Sequence, residues 1–205
     1  MSVRVKICGV TTVEDALLCA DAGADAIGLN FWSGSKRRID VERAAAIARA
    51  LPPSVLKVGV FVHAERAAIE RAITGACLDA VQLHGHEAPE HCRGFAVPVI
   101  KAIRVTLGGE LPSVIAARFA VDYILLDADC GGEYGGSGRS FDWQQAAGVA
   151  PGRLFLAGGL RPENVAAAIR MAGPYGVDTA SGVESAPGRK DPTLVREFIH
   201  NAKHA

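Results

Sequence analysis

Val3-Arg4-Val5-Lys6-Ile7-Cys8-Gly9-Val10-Thr11-Thr12-Val13-Glu14-Asp15 is the stretch that decides the fold. Side chains of an extended segment alternate between two faces, so Val3, Val5 and Ile7 share one surface while Arg4, Lys6 and Cys8 share the other. Glycine follows at once. Thr11 and Thr12, each with an acid three residues later (Glu14, Asp15), then mark a helix N-terminus. The unit reads as strand, glycine turn, helix, with a thiol at the strand's C-terminal end. The positive end of a helix dipole and the Lys6 amine both favour a thiolate, which makes Cys8 a candidate proton-abstracting base. Taken alone, the same residue reads more readily as a small buried hydrophobe.

Working outward, the unit repeats eight times. Short apolar strand patterns lie near residues 3–8, 26–31, 56–62, 80–84, 98–105, 123–127, 154–157 and 176–180. Helix-type spacing or alanine-rich composition follows each of them, at 12–22, 41–51, 64–76, 87–94, 111–120, 141–148, 163–172 and 192–203. Strict alternation with short connections demands a parallel sheet, and eight units in 205 residues predict an α/β fold, a closed (β/α)8 TIM barrel in one domain spanning residues 1–205. An open doubly wound sheet is the alternative. No strand-turn carries its G-x-G-x-x-G fingerprint, and eight strands exceed what such a sheet needs at this length.

The 22 basic and 22 acidic side chains cancel, so the chain has no charge footprint for nucleic acid or an anionic membrane, and any anionic ligand must be held locally. Five scattered cysteines without a C-x-x-C pair indicate neither a disulfide framework nor a metal site, and they fit a reducing cytoplasm. The first strand begins within a few residues of Met1, so no secretory leader is expected, and no apolar run approaches the ~18 residues of a spanning helix.

Barrels of this kind carry their chemistry where strands end and loops begin. Those ends hold Cys8; Asn30 and Phe31 leading into the cationic loop Trp32–Arg38; Gln82, His84 and Gly85; Lys101 and Arg104; Asp127; Gly158-Gly159; and Asp178-Thr179-Ala180-Ser181-Gly182. Glycine backbone and a serine hydroxyl after strands seven and eight suit a phosphate, making Gly158, Gly159, Ser181 and Gly182 candidate binders; plain turn glycines are the other reading. Asp127 closes an apolar strand, a setting that favours a protonated carboxyl and hence a general acid. Arg37 and Arg38 can each offer a fork to a carboxylate. His84 reads as a satisfied interior histidine. Lys6, Lys101 and Arg104 are expected in or along the barrel interior, balancing Asp127 and Asp178. Gly135-Gly136-Ser137-Gly138 reads as a mobile lid or plain linker.

Together these motifs resemble one family across the whole chain. They are Lys6-Ile7-Cys8-Gly9, Gly28-Leu29-Asn30-Phe31 with Ser35-x-Arg37, Val58-Gly59-Val60-Phe61, Val81-Gln82-Leu83-His84-Gly85, Leu125-Leu126-Asp127, and Gly135 through Trp143. Leu156-Ala157-Gly158-Gly159-Leu160, Pro162-Glu163-Asn164-Val165, Ser181-Gly182-Val183-Glu184 and Pro187-Gly188-Arg189-Lys190-Asp191 complete the series. The chain is similar in these respects to the phosphoribosylanthranilate isomerases. That resemblance implies a cofactor-free Amadori rearrangement of N-(5-phosphoribosyl)anthranilate in tryptophan biosynthesis, by a monomer or homodimer whose partner is a small phosphorylated substrate. It implies Cys8 as general base, Asp127 as general acid, Arg37 on the anthranilate carboxylate, and Gly158, Gly159, Ser181 and Gly182 on the phosphate, with Lys6, His84 and Asp178 as further lining residues and no metal.

The chain departs from the family where Lys36 and Arg38 replace a proline and an aromatic residue, and where Ala180 precedes Ser181 in place of a second serine; Cys130 has no assigned role. Two alternatives remain open. A histidine-pathway ribose-phosphate isomerase barrel is expected to carry an aspartate in place of Cys8, and a catalytically silent phosphosugar-binding barrel acting as a regulator would not need both Cys8 and Asp127.

Overall fold

The computed structural model describes residues 3–106, 108–128 and 141–205. Cys130 and the glycine-rich stretch at 135–138 lie outside them. Eight parallel strands close into a barrel in chain order: β1 (Arg4–Cys8), β2 (Ala26–Asn30), β3 (Leu56–Phe61), β4 (Ala80–Leu83), β5 (Val99–Val105), β6 (Tyr123–Ala128), β7 (Leu154–Leu156) and β8 (Gly176–Thr179). The seam is made by the first and last strands, with Lys6 opposite Asp178. Helices α1 (Val13–Asp21), α2 (Val41–Ala50), α3 (Arg66–Gly75), α4 (Pro112–Ala116), α5 (Val165–Ala172) and α6 (Pro192–Lys203) surround it.

Local chemistry sets several helix starts. Thr12 accepts from the Asp15 N–H at 3.1 Å, Asp40 from that of Arg43, and Asp191 from those of Thr193 and Leu194, each satisfying donors that a helix N-terminus leaves orphaned. Two expected helices are corrected. Residues 87–94 and 141–148 form only the single 3₁₀ turns Pro89–Cys92 and Trp143–Ala146. Gly94 and Gly148, both at positive φ, end segments too short to repay helix nucleation. The helix expected over 111–120 likewise contracts to the five residues of α4. An unexpected antiparallel hairpin, β9 (Glu184–Ala186) and β10 (Arg189–Lys190), turns at Pro187-Gly188 before α6.

Strand alternation divides the core in two. Val5, Ile7, Ile27, Leu29, Val81, Leu126 and Val177 face outward and bury against Ala16, Ile47, Ile69, Val165 and Phe198 of the helices. Inside the barrel, Ala26, Val58, Ala80, Ile100, Ala102, Leu125 and Phe155 form a separate apolar plug. The plug seals the interior, so the inward residues beyond it on each strand open only toward the C-terminal rim.

Candidate active site

A cleft opens at that rim, and Cys8, Arg37, His84, Asp127, Gly158, Gly159, Asp178, Ser181 and Gly182 all line it. Lys6 does not. It lies beneath the cleft floor, fully buried, with its Nζ 2.8 Å from Asp178 Oδ1 across the β1–β8 seam.

This buried ion pair underlies Cys8. The space beside them is held open by Gly28 on β2, where a Cβ would lie 2.7 Å from Cys8 Sγ and 3.0 Å from Lys6 Nζ. Any side chain there would push thiol and ammonium apart. Burial pushes the Cys8 thiol above its ordinary value; the Lys6 and Lys190 ammonium groups pull it down without fully offsetting that burial. The dipole argument made from sequence is thereby corrected. Helix α1 starts five residues beyond Cys8, and it is the buried amines that favour the thiolate. Lys6 itself is held above its ordinary value, because Asp178 and Cys8 outweigh its burial.

Three strands from β1 around the barrel, Asp127 ends the inward face of β6. Its Oδ2 is 3.1 Å from His84 Nε2, and its Oδ1 accepts the Ala128 N–H at 2.9 Å. His84 Nδ1 in turn lies 2.8 Å from Gln82 Nε2, and all three side chains are buried. The satisfied interior histidine expected from sequence is satisfied by Asp127 itself.

Arg37 is not a free fork. Its Nε and one terminal nitrogen donate to the two carboxylate oxygens of Glu184 at 2.8 and 2.7 Å, leaving only the other terminal edge for a ligand. Lys190 also donates to Glu184, at 3.0 Å, and its buried Nζ caps the carbonyls of Cys8 (2.7 Å) and Ala180 (3.0 Å). The β9–β10 hairpin thus ties the arginine to the backbone of the thiol and of the strand-eight loop. Burial raises the Glu184 carboxyl, but Arg37 and Lys190 more than reverse this and hold it below its usual range. Sequence reading overlooked Glu184 and Lys190 as site residues, although both stand in the quoted motifs; an acid and a base flanking a Pro-Gly turn were the available signal.

The expected phosphate end is built from backbone. Gly158 and Gly159 follow β7 with consecutive φ of 79° and 64°, a turn few other residues adopt. The 3₁₀ turn Ser181–Val183 follows β8, and Thr179 Oγ1 bonds the Leu160 carbonyl at 2.8 Å, pinning the two loops together. Lys101 is corrected. It faces out of the barrel, donating to Glu87 and to the carbonyls of Leu83 and Gly85. Parity required this, since Lys101 pairs with outward Ile124 whereas Arg104 pairs with inward Asp127.

A closed (β/α)8 barrel with a thiol and a carboxyl lining one rim cleft, beside glycine turns after strands seven and eight, has the architecture of a barrel enzyme. A family model described as N-(5'phosphoribosyl)anthranilate (PRA) isomerase matches residues 5–201. The chain is 52% identical over 210 residues to the N-(5'-phosphoribosyl)anthranilate isomerase of Myxococcus xanthus, covering 99% of this chain and 97% of that one. Identity to the isomerase of Pelobacter propionicus is 50%, covering 98% and 96%. A solved phosphoribosyl anthranilate isomerase in complex with reduced 1-(o-carboxyphenylamino)-1-deoxyribulose 5-phosphate superposes with a TM-score of 0.85 at 42% identity, covering 99% and 100%. The chain belongs to the phosphoribosylanthranilate isomerase family, and its activity is the isomerisation of N-(5'-phosphoribosyl)anthranilate in tryptophan biosynthesis.

Proposed function

We propose that this isomerisation runs as paired acid–base catalysis without a cofactor, with Asp127 as the acid and Cys8 as the base. The observation that carries the reading is that one cleft is lined by both groups, with Arg37 and the Gly158-Gly159 and Ser181-Gly182 turns around them. Asp127 gives its proton to the furanose ring oxygen as the C1–O bond breaks, leaving an open-chain iminium. The cationic nitrogen acidifies the C2 proton, which the Cys8 thiolate removes. The resulting enolamine loses its enol proton and gains one at C1, giving the ketone; proton return from Cys8 to Asp127 through solvent resets the enzyme.

Arg37 holds the aromatic carboxylate with the edge that Glu184 leaves open, and the turns after β7 and β8 hold the phosphate at the far end. Binding both ends fixes C2 against the thiol. A base that must cycle as a thiol requires an unoxidised cysteine. Cys8, Cys19, Cys77 and Cys92 are free among the described residues, which fits a cytoplasmic setting.

The test is a turnover assay on N-(5'-phosphoribosyl)anthranilate followed by loss of its fluorescence, with inorganic phosphate as competitor. Competitive inhibition by phosphate, together with a raised KM when Ser181→Glu places a carboxylate in the phosphate pocket, supports the reading. Turnover indifferent to phosphate, or no turnover by the parent chain, refutes it.

A further inference from the structure

Among the buried polar groups of the cleft that the reaction above does not use, Gln82 stands out for an unpaired atom. Gln82 is fully buried on β4, two residues before His84 and on the same face, and its amide nitrogen meets His84 Nδ1 at 2.8 Å. Its Oε1, equally enclosed, has no hydrogen-bond partner among the described residues. A buried orphan acceptor calls for an explanation. Turning the amide over would give Oε1 a partner only by moving the N–H groups into the unpaired position, and orphan donors are rarer than orphan acceptors. The amide therefore presents a donor to His84.

A donor at Nδ1 leaves that nitrogen with a lone pair, so the neutral ring carries its hydrogen on Nε2. Nε2 is the nitrogen 3.1 Å from Asp127 Oδ2. In this tautomer His84 donates to Asp127 and has no lone pair there to accept a proton. In the other tautomer, Nε2 would accept from the protonated Asp127, and the hydrogen needed by the substrate would be drawn sideways into the barrel wall.

We propose that Gln82 is a positioning residue that locks His84 as a donor to Asp127, keeping the transferable Asp127 proton off the ring and directed into the cleft. The proposal rests on Asp127 being the acid. Once that proton has gone to the ring oxygen, the same His84 N–H and the Ala128 N–H remain on the carboxylate and stabilise its new charge.

The direct test is nitrogen-15 NMR of the intact enzyme labelled at histidine, with the His84 signals assigned by their loss in His84→Gln. A neutral His84 ring with hydrogen on Nε2 at pH 7 is the expected result. Hydrogen on Nδ1, or on both nitrogens, overturns the proposal whatever any variant does.

The kinetic arm uses Gln82→Met, close in shape but without a donor, and Gln82→Glu, which reverses the polarity at Nδ1. Both should lower kcat by about tenfold, part of what a positioned acid contributes. KM should stay within about twofold, since neither variant touches a binding group. Gln82→Glu should also shift His84 to hydrogen on Nδ1 or on both nitrogens. Wild-type kcat in Gln82→Glu despite that shift, or a rise in KM matching the loss in kcat, would overturn the assignment. Asp127→Asn separates the two readings. If that variant turns over normally the acid has been misassigned, whereas an inactive Asp127→Asn beside an Nδ1-protonated wild-type ring refutes the lock alone.

Discussion

The two mouths of the barrel are made by the same eight strands and have opposite characters. At the C-terminal rim the inward positions hold Cys8, Asn30, His84, Asp127 and Asp178. At the N-terminal mouth they hold Leu56, Tyr123 and Phe155, with Tyr175 beside them. Tyr123, Phe155 and Tyr175 pack with ring centroids 5.2–5.5 Å apart, two of the contacts edge-on. One end spends its buried positions on titratable groups, which cost stability unless paired. The other packs aromatic rings over buried Phe155, and that contact supplies stability. Two layers along a strand are enough to separate reactivity from cohesion.

The strongest way to break this division is at the rim. Cys8→Ser and Asp127→Asn should each cut kcat by about 10²–10⁴, the range for a positioned base or acid, with a melting temperature close to that of the parent. A fully active variant of either kind would remove that residue from the chemistry, and one that also unfolds would show that the rim is structural after all.

The opposite pattern is expected at the other mouth. Phe155→Ala should cost about 3–5 kcal/mol of stability, measured by urea unfolding, because it empties the ring cluster. Turnover per folded molecule at low temperature should be unchanged. Lost turnover in folded protein would couple the two ends.

A smaller effect is expected at Arg37. Removing it should lower kcat/KM by about 1.5–3 kcal/mol, the range for hydrogen bonds to a charged group, mainly through KM. Glu184 keeps Lys190 as a partner, so the fold should survive. Arg38→Ala is the control, since that side chain is exposed. An equal or larger defect at Arg38 would reassign the carboxylate site.

The smallest effect is shared by both ends. Burial raises the Asp25 carboxyl at the N-terminal mouth, but bonds from Lys203, the Val5 N–H and Arg4 hold it below the ordinary range. Glu184 at the rim is held low in the same sense. Groups whose pKa falls on folding bind fewer protons when native, so their contribution is present above the unfolded value and fades as pH drops below about 4. Urea midpoints between about pH 3 and 6 should therefore fall with acid, and less steeply in Asp25→Asn. A slope unchanged by that substitution would remove Asp25 from the account.

Sequence reading recovered the barrel because strand periodicity is local, as in Val3–Cys8, and it recovered the rim because the rim lies where periodicity stops. It failed at two local features, glycine stops and strand parity, and again where an outcome depended on distant partners. Residues 87–94 and 141–148 have helical composition, but Gly94 and Gly148 end them too early. Lys101 and Arg104 were placed on one side although three residues along a strand reverse the face. Arg37 was read as a free fork because its partner is 147 positions away. The charges acting on Cys8 were invisible for the same reason, since Asp178 and Lys190 stand far from it in the chain.

The Lys190 ammonium that caps the Cys8 carbonyl also sets a clock on the protein's synthesis. The thiol is among the first residues to leave the ribosome, whereas Asp178, Glu184 and Lys190 belong to its last thirty or so. Thr11 waits for the Gly188 carbonyl, and Asp15 for the Lys190 N–H. A nascent chain stopped before the hairpin has every strand of the barrel and lacks the cap that closes its site. Chains released early therefore lack the finished catalytic centre, together with the α6 residues Val195 and Phe198 against which the barrel packs.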